Sequence, residues 1–198
     1  MTTAVIELGV GNTASMMFAL ERLGADAVLT HDPAVVAEAA RVVLPGVGAA
    51  AYAMKRMAAL GLVETLRAFP RPLLGVCLGQ QLLYEGSEEG SARGLGRIPG
   101  RAFRLTAAAD RPVPHMGWNS LTVEREDPLL EGVEDGAFVY FVHSFACPIG
   151  PATLAATDYG GAFSSVVRSG SVWGCQFHPE RSSEAGARIL KNFLDIPC

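Results

Sequence analysis

A cysteine between two glycines, directly after an apolar run, is the strongest chemical signal in the sequence. Cys77 follows the run 73–76, and Gly75 and Gly79 give it the spacing G-x-C-x-G. Glycines at these positions let a chain turn sharply from strand to helix and leave room beside a nucleophile. A cysteine there faces the positive end of the helix, which favours the thiolate, and the N–H of Leu78 would point at a developing oxyanion. A buried cysteine in a tight turn has the same local pattern, so this segment alone leaves both interpretations open.

A histidine with a nearby carboxylate ends another apolar run, at 172–177. His178 is followed by Pro179 and Glu180. A cysteine nucleophile needs a base, and the base needs a third group to fix its tautomer. Glu180 supplies that group if the bend at Pro179 turns it back onto the ring. Groups placed at strand ends would form an active site at the edge of a sheet. A lone histidine is more often structural, which is the interpretation favoured for the three others, His31, His115 and His143.

A glycine-rich turn follows the third apolar run. Residues 44–48 read Leu-Pro-Gly-Val-Gly, which alone is typical of a turn. If the fold brings this segment beside Cys77, it becomes a candidate second oxyanion donor, because glycine neighbours allow a peptide N–H to rotate toward a substrate.

A competing signal near the start of the chain is typical of a dinucleotide site. Residues 9–14 read G-x-G-x-x-A between a predicted strand and a predicted helix, and Asp32 follows at a plausible distance. One short match of this kind is weak, and it leaves Cys77, His178 and Glu180 unexplained. Nicotinamide cofactor binding at 9–14 is therefore kept as a minor alternative.

The elements that must carry these groups alternate in the first half of the chain. Short apolar runs predict strands at 4–8, 27–29, 42–44 and 73–76, the third ending at Pro45. Helical patterns and start signals predict helices at 14–23, after Asp32–Pro33, at 50–59 and at 62–68. Such alternation implies a parallel sheet covered by helices on both faces.

The second half is richer in short extended segments. After a glycine-rich loop at 90–100, these segments lie at 102–105, 120–123, 137–142, 153–156, 163–167 and 172–177. An amphipathic helix at 183–194 closes the chain. The sequence therefore predicts an α/β fold with a mixed, mostly parallel central sheet and helices on both faces, in a single domain spanning 1–198.

Composition excludes several classes of protein. The 198 residues are 49% apolar and 18% charged with a net charge of −4, so neither disorder nor an electrostatic nucleic-acid footprint is expected. The first twenty residues are predicted as strand, loop and helix start rather than a signal peptide, and no window has the length of a membrane span. The four cysteines form no C-x-x-C pair, which disfavours zinc and a disulfide framework and favours the cytoplasm.

Together, these motifs resemble the class I, or triad, glutamine amidotransferases over nearly the whole chain. The shared segments are GVGN (9–12), LPGVG (44–48), GVCLGQQLL (75–83), SEEG (87–90), GLGRIPG (94–100), PHMGWN (114–119), YFVHSF (140–145) and QFHPE (176–180). The cysteine elbow and QFHPE are common to several branches of the family. PGVG and PHMGWN point to the imidazole glycerol phosphate synthase branch, which serves histidine biosynthesis. The resemblance implies a flavodoxin-like arrangement.

The resemblance implies glutamine hydrolysis. Cys77 would attack the side-chain amide, with His178 as base and acid and Glu180 orienting it. A glutamyl thioester and ammonia form, and water then releases glutamate. Two N–H groups would hold the oxyanion, those of Val47 and Leu78. Four more positions match those that bind glutamine: Gln81, Glu89, Ser144 and Phe145.

The resemblance also implies a partner, a (β/α)8 cyclase subunit bound as a heterodimer. Ammonia released into bulk water would be protonated and lost as a nucleophile, so the family passes it through that barrel. Three residues match positions near this interface: Asn12, Trp118 and Arg181. We expect no metal, cofactor, nucleic acid or membrane partner.

Some positions depart from the family pattern without removing a catalytic group. The family often has Asp-Tyr at Glu7–Leu8, methionine at Gln80, tyrosine at Phe145 and lysine at Arg181. Two alternatives stay open. One is a sister amidotransferase of the anthranilate or aminodeoxychorismate type, although those tend to carry proline where Val47 stands. The other is a non-catalytic scaffold subunit on the same fold.

Overall fold

The computed structural model describes residues 1–9 and 12–198, which form thirteen strands and six α-helices. The strands are β1 (Thr3–Ile6), β2 (Ala27–Thr30), β3 (Arg41–Gly46), β4 (Leu73–Cys77), β5 (Tyr84–Ser87), β6 (Ile98–Arg104), β7 (His115–Ser120), β8 (Thr122–Val123), β9 (Phe138–His143), β10 (Phe145–Ala146), β11 (Thr153–Asp158), β12 (Ala162–Ser169) and β13 (Val172–Cys175). The helices are α1 (Thr13–Arg22), α2 (Pro33–Glu38), α3 (Ala50–Ala59), α4 (Leu62–Ala68), α5 (Leu78–Leu83) and α6 (Ser183–Asp195).

Eight strands form the central sheet, in the order β2-β1-β3-β4-β13-β12-β11-β8. The first five run parallel, and β12, β11 and β8 continue the sheet in antiparallel pairs. The order of the parallel strands is that of flavodoxin-like sheets, which bind ligands beyond the carboxyl ends of their strands. The predicted mixed, mostly parallel α/β fold is confirmed.

Helices cover both faces of this sheet because neighbouring residues of each strand point in opposite directions. Val5, Val43 and Leu74 belong to the core that also holds the apolar sides of α1 and α6. Their neighbours Ile6 and Val42 belong to the opposite core, which holds α2, α3 and α4. Both faces of the parallel half are therefore buried, as the two-sided covering of such sheets requires.

Strand β3 extends past Pro45, where the sequence predicted that it would stop. It pairs with β1 as far as Val43 and with β4 as far as Gly46. At Pro45 only one side of β3 has a neighbour, so the N–H that proline lacks is not needed for a ladder. The extra residues bring the glycine-rich turn to the level of Cys77.

The second half departs from the prediction in two places. The segment predicted as one strand at 120–123 is the end of β7 and the separate strand β8, because the chain leaves the β7–β9 pair and joins the central sheet. β5 and β10 were not predicted, and they pair with the two opposite edges of β6. Val142 on β9 and Phe145 on β10 lie with Cys77, at the end of β4, in the lining of one cavity.

In the part of the chain that the structure describes, no helix is both long enough and apolar enough to span a membrane.

Candidate active site

The turn at Cys77 joins β4 directly to α5. Cys77 has φ +55° and ψ −109° and serves as the N-cap of α5. A positive φ is unfavourable for a residue with a side chain, and such strain persists only where the surrounding structure imposes it. The turn leaves the Leu78 N–H in the first turn of the helix, where it has no intrahelical acceptor. This is the strand–turn–helix context that the G-x-C-x-G spacing predicts.

The two glycines of the elbow are required by close backbone packing. A Cβ at Gly79 would lie 1.8 Å from the carbonyl oxygen of Leu44 on β3. A Cβ at Gly75 would lie 2.6 Å from the carbonyl of Gly79. The start of α5 therefore rests on β3 and β4 at a distance that only glycine allows.

His178 and Glu180 form a buried pair. The Nδ1 of His178 lies 2.8 Å from Oε1 of Glu180, and the two side chains are only 7% and 3% exposed. Because a carboxylate oxygen accepts, Nδ1 carries the proton and Nε2 faces away from the pair. Nε2 is buried and has no hydrogen-bond partner among the described residues. The chain bend at Pro179 thus places Glu180 as the sequence predicted.

The electrostatics of His178 combine opposing effects. Burial lowers its pKa, but the neighbouring Cys77 sulfur and the hydrogen-bonded Glu180 carboxylate outweigh burial and raise the pKa to about 10. The Cys77 Sγ itself lies 3.7 Å from the carbonyl oxygen of Val142 and 3.8 Å from Nε2 of Gln176. Cys77 is electrostatically coupled to the His178–Glu180 pair, as a nucleophile, base and orienting carboxylate require.

A cavity of about 290 Å³ opens over Cys77. It is lined by both predicted oxyanion residues, Val47 and Leu78, and by all four predicted glutamine-binding residues, Gln81, Glu89, Ser144 and Phe145. Its volume is near the lower end for small-molecule sites. Residues from distant parts of the sequence thus converge on one cavity, although their individual roles stay predictions.

The polar groups of this cavity are held by backbone contacts. Nε2 of Gln81 donates to the carbonyl oxygen of Phe145 at 2.8 Å. Oε2 of Glu89 accepts from the N–H of Ala50, at the start of α3, at 2.7 Å. Gly48 beside the Val47 peptide has φ +88°, a conformation that favours glycine. The cavity therefore presents fixed carboxylate and amide groups next to a glycine-flanked peptide.

Two of the three predicted interface residues lie against the ring of Tyr140. Arg181 stacks over the ring of Tyr140 at 4.5 Å, and the ring of Trp118 meets the same ring at 6.0 Å. Trp118 is 52% exposed. Asn12 is the N-cap of α1 and accepts from the N–H of Ser15 at 3.2 Å, and α1 contacts the short helical turn that contains Arg181.

Three residues in or beside the site lie outside the sequence prediction. The sequence favours a structural interpretation of His115 and His143, yet His143 lines the cavity, and its Nε2 lies 3.0 Å from Nδ1 of His115. Gln176 contacts the Cys77 sulfur. A signal was present, because each of the three falls within a motif segment that also carries a predicted site residue.

The other cysteines, the possible metal ligands and the alternative dinucleotide segment add no second candidate site among the described residues. Cys147 and Cys175 are fully buried, and burial raises both thiol pKa values, that of Cys147 to about 12. Such thiols are inert as nucleophiles. Within the described ranges, no group of three or more His, Cys, Asp or Glu side chains could hold a metal ion. Val10 and Gly11 of the alternative dinucleotide segment lie outside the described residues.

Comparison with known proteins supports a common origin for these features. The sequence model of the family described as Glutamine amidotransferase class-I matches residues 4–196. The chain is 52% identical to the imidazole glycerol phosphate synthase subunit HisH of Xanthomonas axonopodis pv. citri (strain 306), over 98% of this chain and 96% of that protein. The same identity and coverage hold for the subunit HisH of Xylella fastidiosa (strain Temecula1 / ATCC 700964). The solved structure of PurLQS from Thermotoga maritima is similar in fold, with a TM-score of 0.72 at 19% identity over 98% of this chain and 97% of that one.

Proposed function

This chain belongs to the class-I glutamine amidotransferase family, and we propose that it hydrolyses glutamine to glutamate and ammonia through a thioester on Cys77. The observation that carries this proposal is the convergence on one cavity. Cys77 lies at the start of α5 beside the buried His178–Glu180 pair, and the cavity above it is lined by the residues predicted to bind glutamine. It is a glutamine amidotransferase of the branch that serves histidine biosynthesis.

The proposed first half-reaction forms the thioester. The Cys77 sulfur attacks the carbonyl carbon of the glutamine side-chain amide while His178 holds the proton that the thiol has lost. The negative charge that develops on the amide oxygen is stabilised by the N–H groups of Leu78 and Val47. His178 then gives its proton to the departing nitrogen, and ammonia leaves as the carbon–nitrogen bond breaks.

The second half-reaction releases glutamate. A water molecule attacks the thioester carbonyl and passes a proton to His178, which returns it to the Cys77 sulfur as the carbon–sulfur bond breaks. Glu180 keeps the proton on Nδ1 of His178 throughout, so that Nε2 always faces the reacting atoms. A charged carboxylate also stabilises the imidazolium that forms twice in each turnover.

We assign substrate recognition to four other residues that line the cavity. The Glu89 carboxylate supplies a negative charge for the α-ammonium group of glutamine. The backbone of Ser144 and Phe145 would hold the α-carboxylate, and the Gln81 side chain, which also lines the cavity, donates to the Phe145 carbonyl oxygen. These contacts would orient the side-chain amide toward the sulfur.

The proposed partner is a cyclase subunit with a (β/α)8 barrel, bound as a heterodimer. The relatives cited above are named as subunits of imidazole glycerol phosphate synthase, which favours this branch over the anthranilate type. The antiparallel pair β7–β9 exposes Met116, Trp118 and Phe138, and Val142 on the same pair lines the cavity. An apolar surface next to the site of ammonia release is what a partner that receives ammonia would cover. We place the complex in the cytoplasm.

The test is glutamate release from glutamine by the complex of this chain with the cyclase. Cys77→Ala is expected to abolish release while leaving thermal unfolding unchanged, and the matched variant Cys198→Ala, at an exposed cysteine, should keep wild-type activity. Full glutamate release by the Cys77→Ala variant would refute the proposal.

A further inference from the structure

A continuous run of side-chain amides ends on the Cys77 sulfur. Nε2 of Gln81 has two hydrogens, and it lies 2.8 Å from the carbonyl oxygen of Phe145 and 3.1 Å from Oε1 of Gln176. Nε2 of Gln176 in turn lies 3.8 Å from Sγ of Cys77. The Gln176 side chain is fully buried, so water does not compete for these contacts.

The Phe145 carbonyl fixes the orientation of every amide in this run. A backbone carbonyl oxygen can only accept, so Gln81 must present its NH2 group to Phe145. The second hydrogen of that NH2 group then requires an acceptor, and Gln176 must present its oxygen. The NH2 group of Gln176 is thereby left facing Cys77, and the reverse orientation would set NH2 against NH2.

The same carbonyl oxygen also accepts a hydrogen bond from one of two neighbouring buried histidines. His143 donates from Nδ1 to the Phe145 oxygen at 2.8 Å, so its Nε2 accepts from Nδ1 of His115 at 3.0 Å. His115 then accepts on Nε2 from Asn119, whose NH2 group also donates to the carbonyl of Asp158 at 3.0 Å. This requires both imidazoles to be neutral. Burial lowers the pKa of His115 to about 4 and that of His143 to about 3, which keeps them so.

We propose that Gln176 is a further residue of the catalytic machinery, which donates a hydrogen bond to the Cys77 sulfur and favours its thiolate over its thiol. The thiol has its own acceptor in the Val142 carbonyl at 3.7 Å, and this contact becomes repulsive once the proton has left. The N–H of Gln176 has the opposite effect and stabilises the thiolate, because a hydrogen-bond donor interacts more strongly with a charged acceptor than with a neutral one. Gln81 and the Phe145 carbonyl act through Gln176 and are positioning groups for it.

The inference depends on the proposed function only in treating Cys77 as the nucleophile. The other titratable groups around Cys77 are His178, the buried thiol of Cys147, and two further groups that line the same cavity, Glu89 and His143. Among the contacts of the described chain, the Gln176 side chain makes hydrogen bonds to Gln81 and Cys77 and to none of these four groups. A change in thiolate chemistry on substitution of Gln176 therefore reports the lost donor.

Gln80 offers a matched control. It is also fully buried, it precedes Gln81 on α5, and its Nε2 donates to the carbonyl of Ser164 at 2.9 Å. It makes no hydrogen bond to Cys77 among the contacts of the described chain. Replacing either glutamine by methionine keeps the side-chain volume and removes one buried hydrogen-bonding group.

The experiment measures the rate at which iodoacetamide alkylates Cys77 in the isolated full chain, followed by mass analysis of the peptide that contains Cys77. This readout needs neither glutamine nor a partner, so its failure is distinct from failure of the proposed function. For Gln176→Met we expect the rate at pH 7 to fall about tenfold, since hydrogen bonds to charged groups are worth at least that factor. The midpoint of the rate–pH profile should rise by about one unit. Gln80→Met should alkylate as the wild type does.

Gln176→Glu keeps the inference testable if the methionine variant does not fold. It keeps an acceptor for Gln81 and places a carboxylate oxygen on the sulfur in place of the N–H, so it should slow alkylation further. Exposed Cys198 reports reagent quality in every sample. An unchanged Cys77 rate in the folded Gln176 variants, or an equal decrease in Gln80→Met, would overturn the inference.

Discussion

Replacing Gly79 by alanine tests whether the cysteine elbow is built by backbone packing. The new Cβ would sit 1.8 Å from the carbonyl oxygen of Leu44, whereas real Cβ contacts are not shorter than 3.0 Å. The obstacle belongs to the backbone of β3, which is paired with β4 up to Gly46. It cannot move aside as a flexible side chain would, so α5 must shift away from the sheet.

The size of the effect follows from this geometry. Overpacking a core costs about 1–3 kcal/mol, and a rigid backbone obstacle puts Gly79→Ala at the upper end, about 3 kcal/mol. In a domain of this length that lowers Tm by about 6–12 °C. A shift of about 1 Å in α5 carries the Leu78 N–H with it, and such a misplacement reduces kcat about 100-fold.

The assay compares Gly79→Ala with Gly150→Ala. Gly150 lies in an exposed turn with no atom within 4 Å of an added Cβ and no positive φ, so alanine there should be neutral or slightly stabilising. Thermal unfolding gives the stability difference, and glutamate release in the presence of the cyclase gives kcat. Equal Tm values for the two variants would refute the packing argument. A destabilised Gly79→Ala enzyme with wild-type kcat would refute the link from α5 to the oxyanion donor.

Three further predictions concern the catalytic pair and the partner surface. Glu180→Gln should reduce kcat for glutamate release by about a thousandfold, since a neutral amide no longer fixes or stabilises the imidazolium; a loss below tenfold would contradict that role. The pKa of His178 is raised from 6.5 to about 10, so its charged form stabilises the fold fully below pH 6.5 and this contribution is lost as pH rises toward 10. The free energy of unfolding measured in urea should therefore fall across that pH window by more for the wild type than for His178→Gln. Parallel plots of that free energy against pH for the two proteins would contradict the assignment. Trp118→Ala should weaken cyclase binding in calorimetry about tenfold or more and leave Cys77 alkylation unchanged; unaltered binding would remove Trp118 from the interface.

Sequence alone located the elements whose signals are local. The two helices predicted at 50–59 and 62–68 have those bounds in the structure, because Gly61 between them adopts φ +72° and breaks the helical run. The elbow at Cys77 and the histidine–carboxylate pair also rest on adjacent residues, so their types and spacing were sufficient.

The features that sequence missed depend on contacts between distant residues. β5 follows the six-residue helix α5 without a loop, so neither element is long enough to show its own periodicity. Pro45 is tolerated in β3 only because one neighbouring strand ends earlier. Gln176 meets Cys77 across 99 positions of chain, a contact that no local pattern encodes.

The most direct test of the proposed function is glutamate release from glutamine by this chain, with and without an imidazole glycerol phosphate synthase cyclase loaded with its nucleotide substrate. We expect a large increase in release when the loaded cyclase is added, with none in the Cys77→Ala variant. Release that is unaffected by the cyclase would keep glutamine hydrolysis but contradict the proposed partner. No release in either condition, with Cys77 verified as reduced, would contradict the catalytic assignment itself.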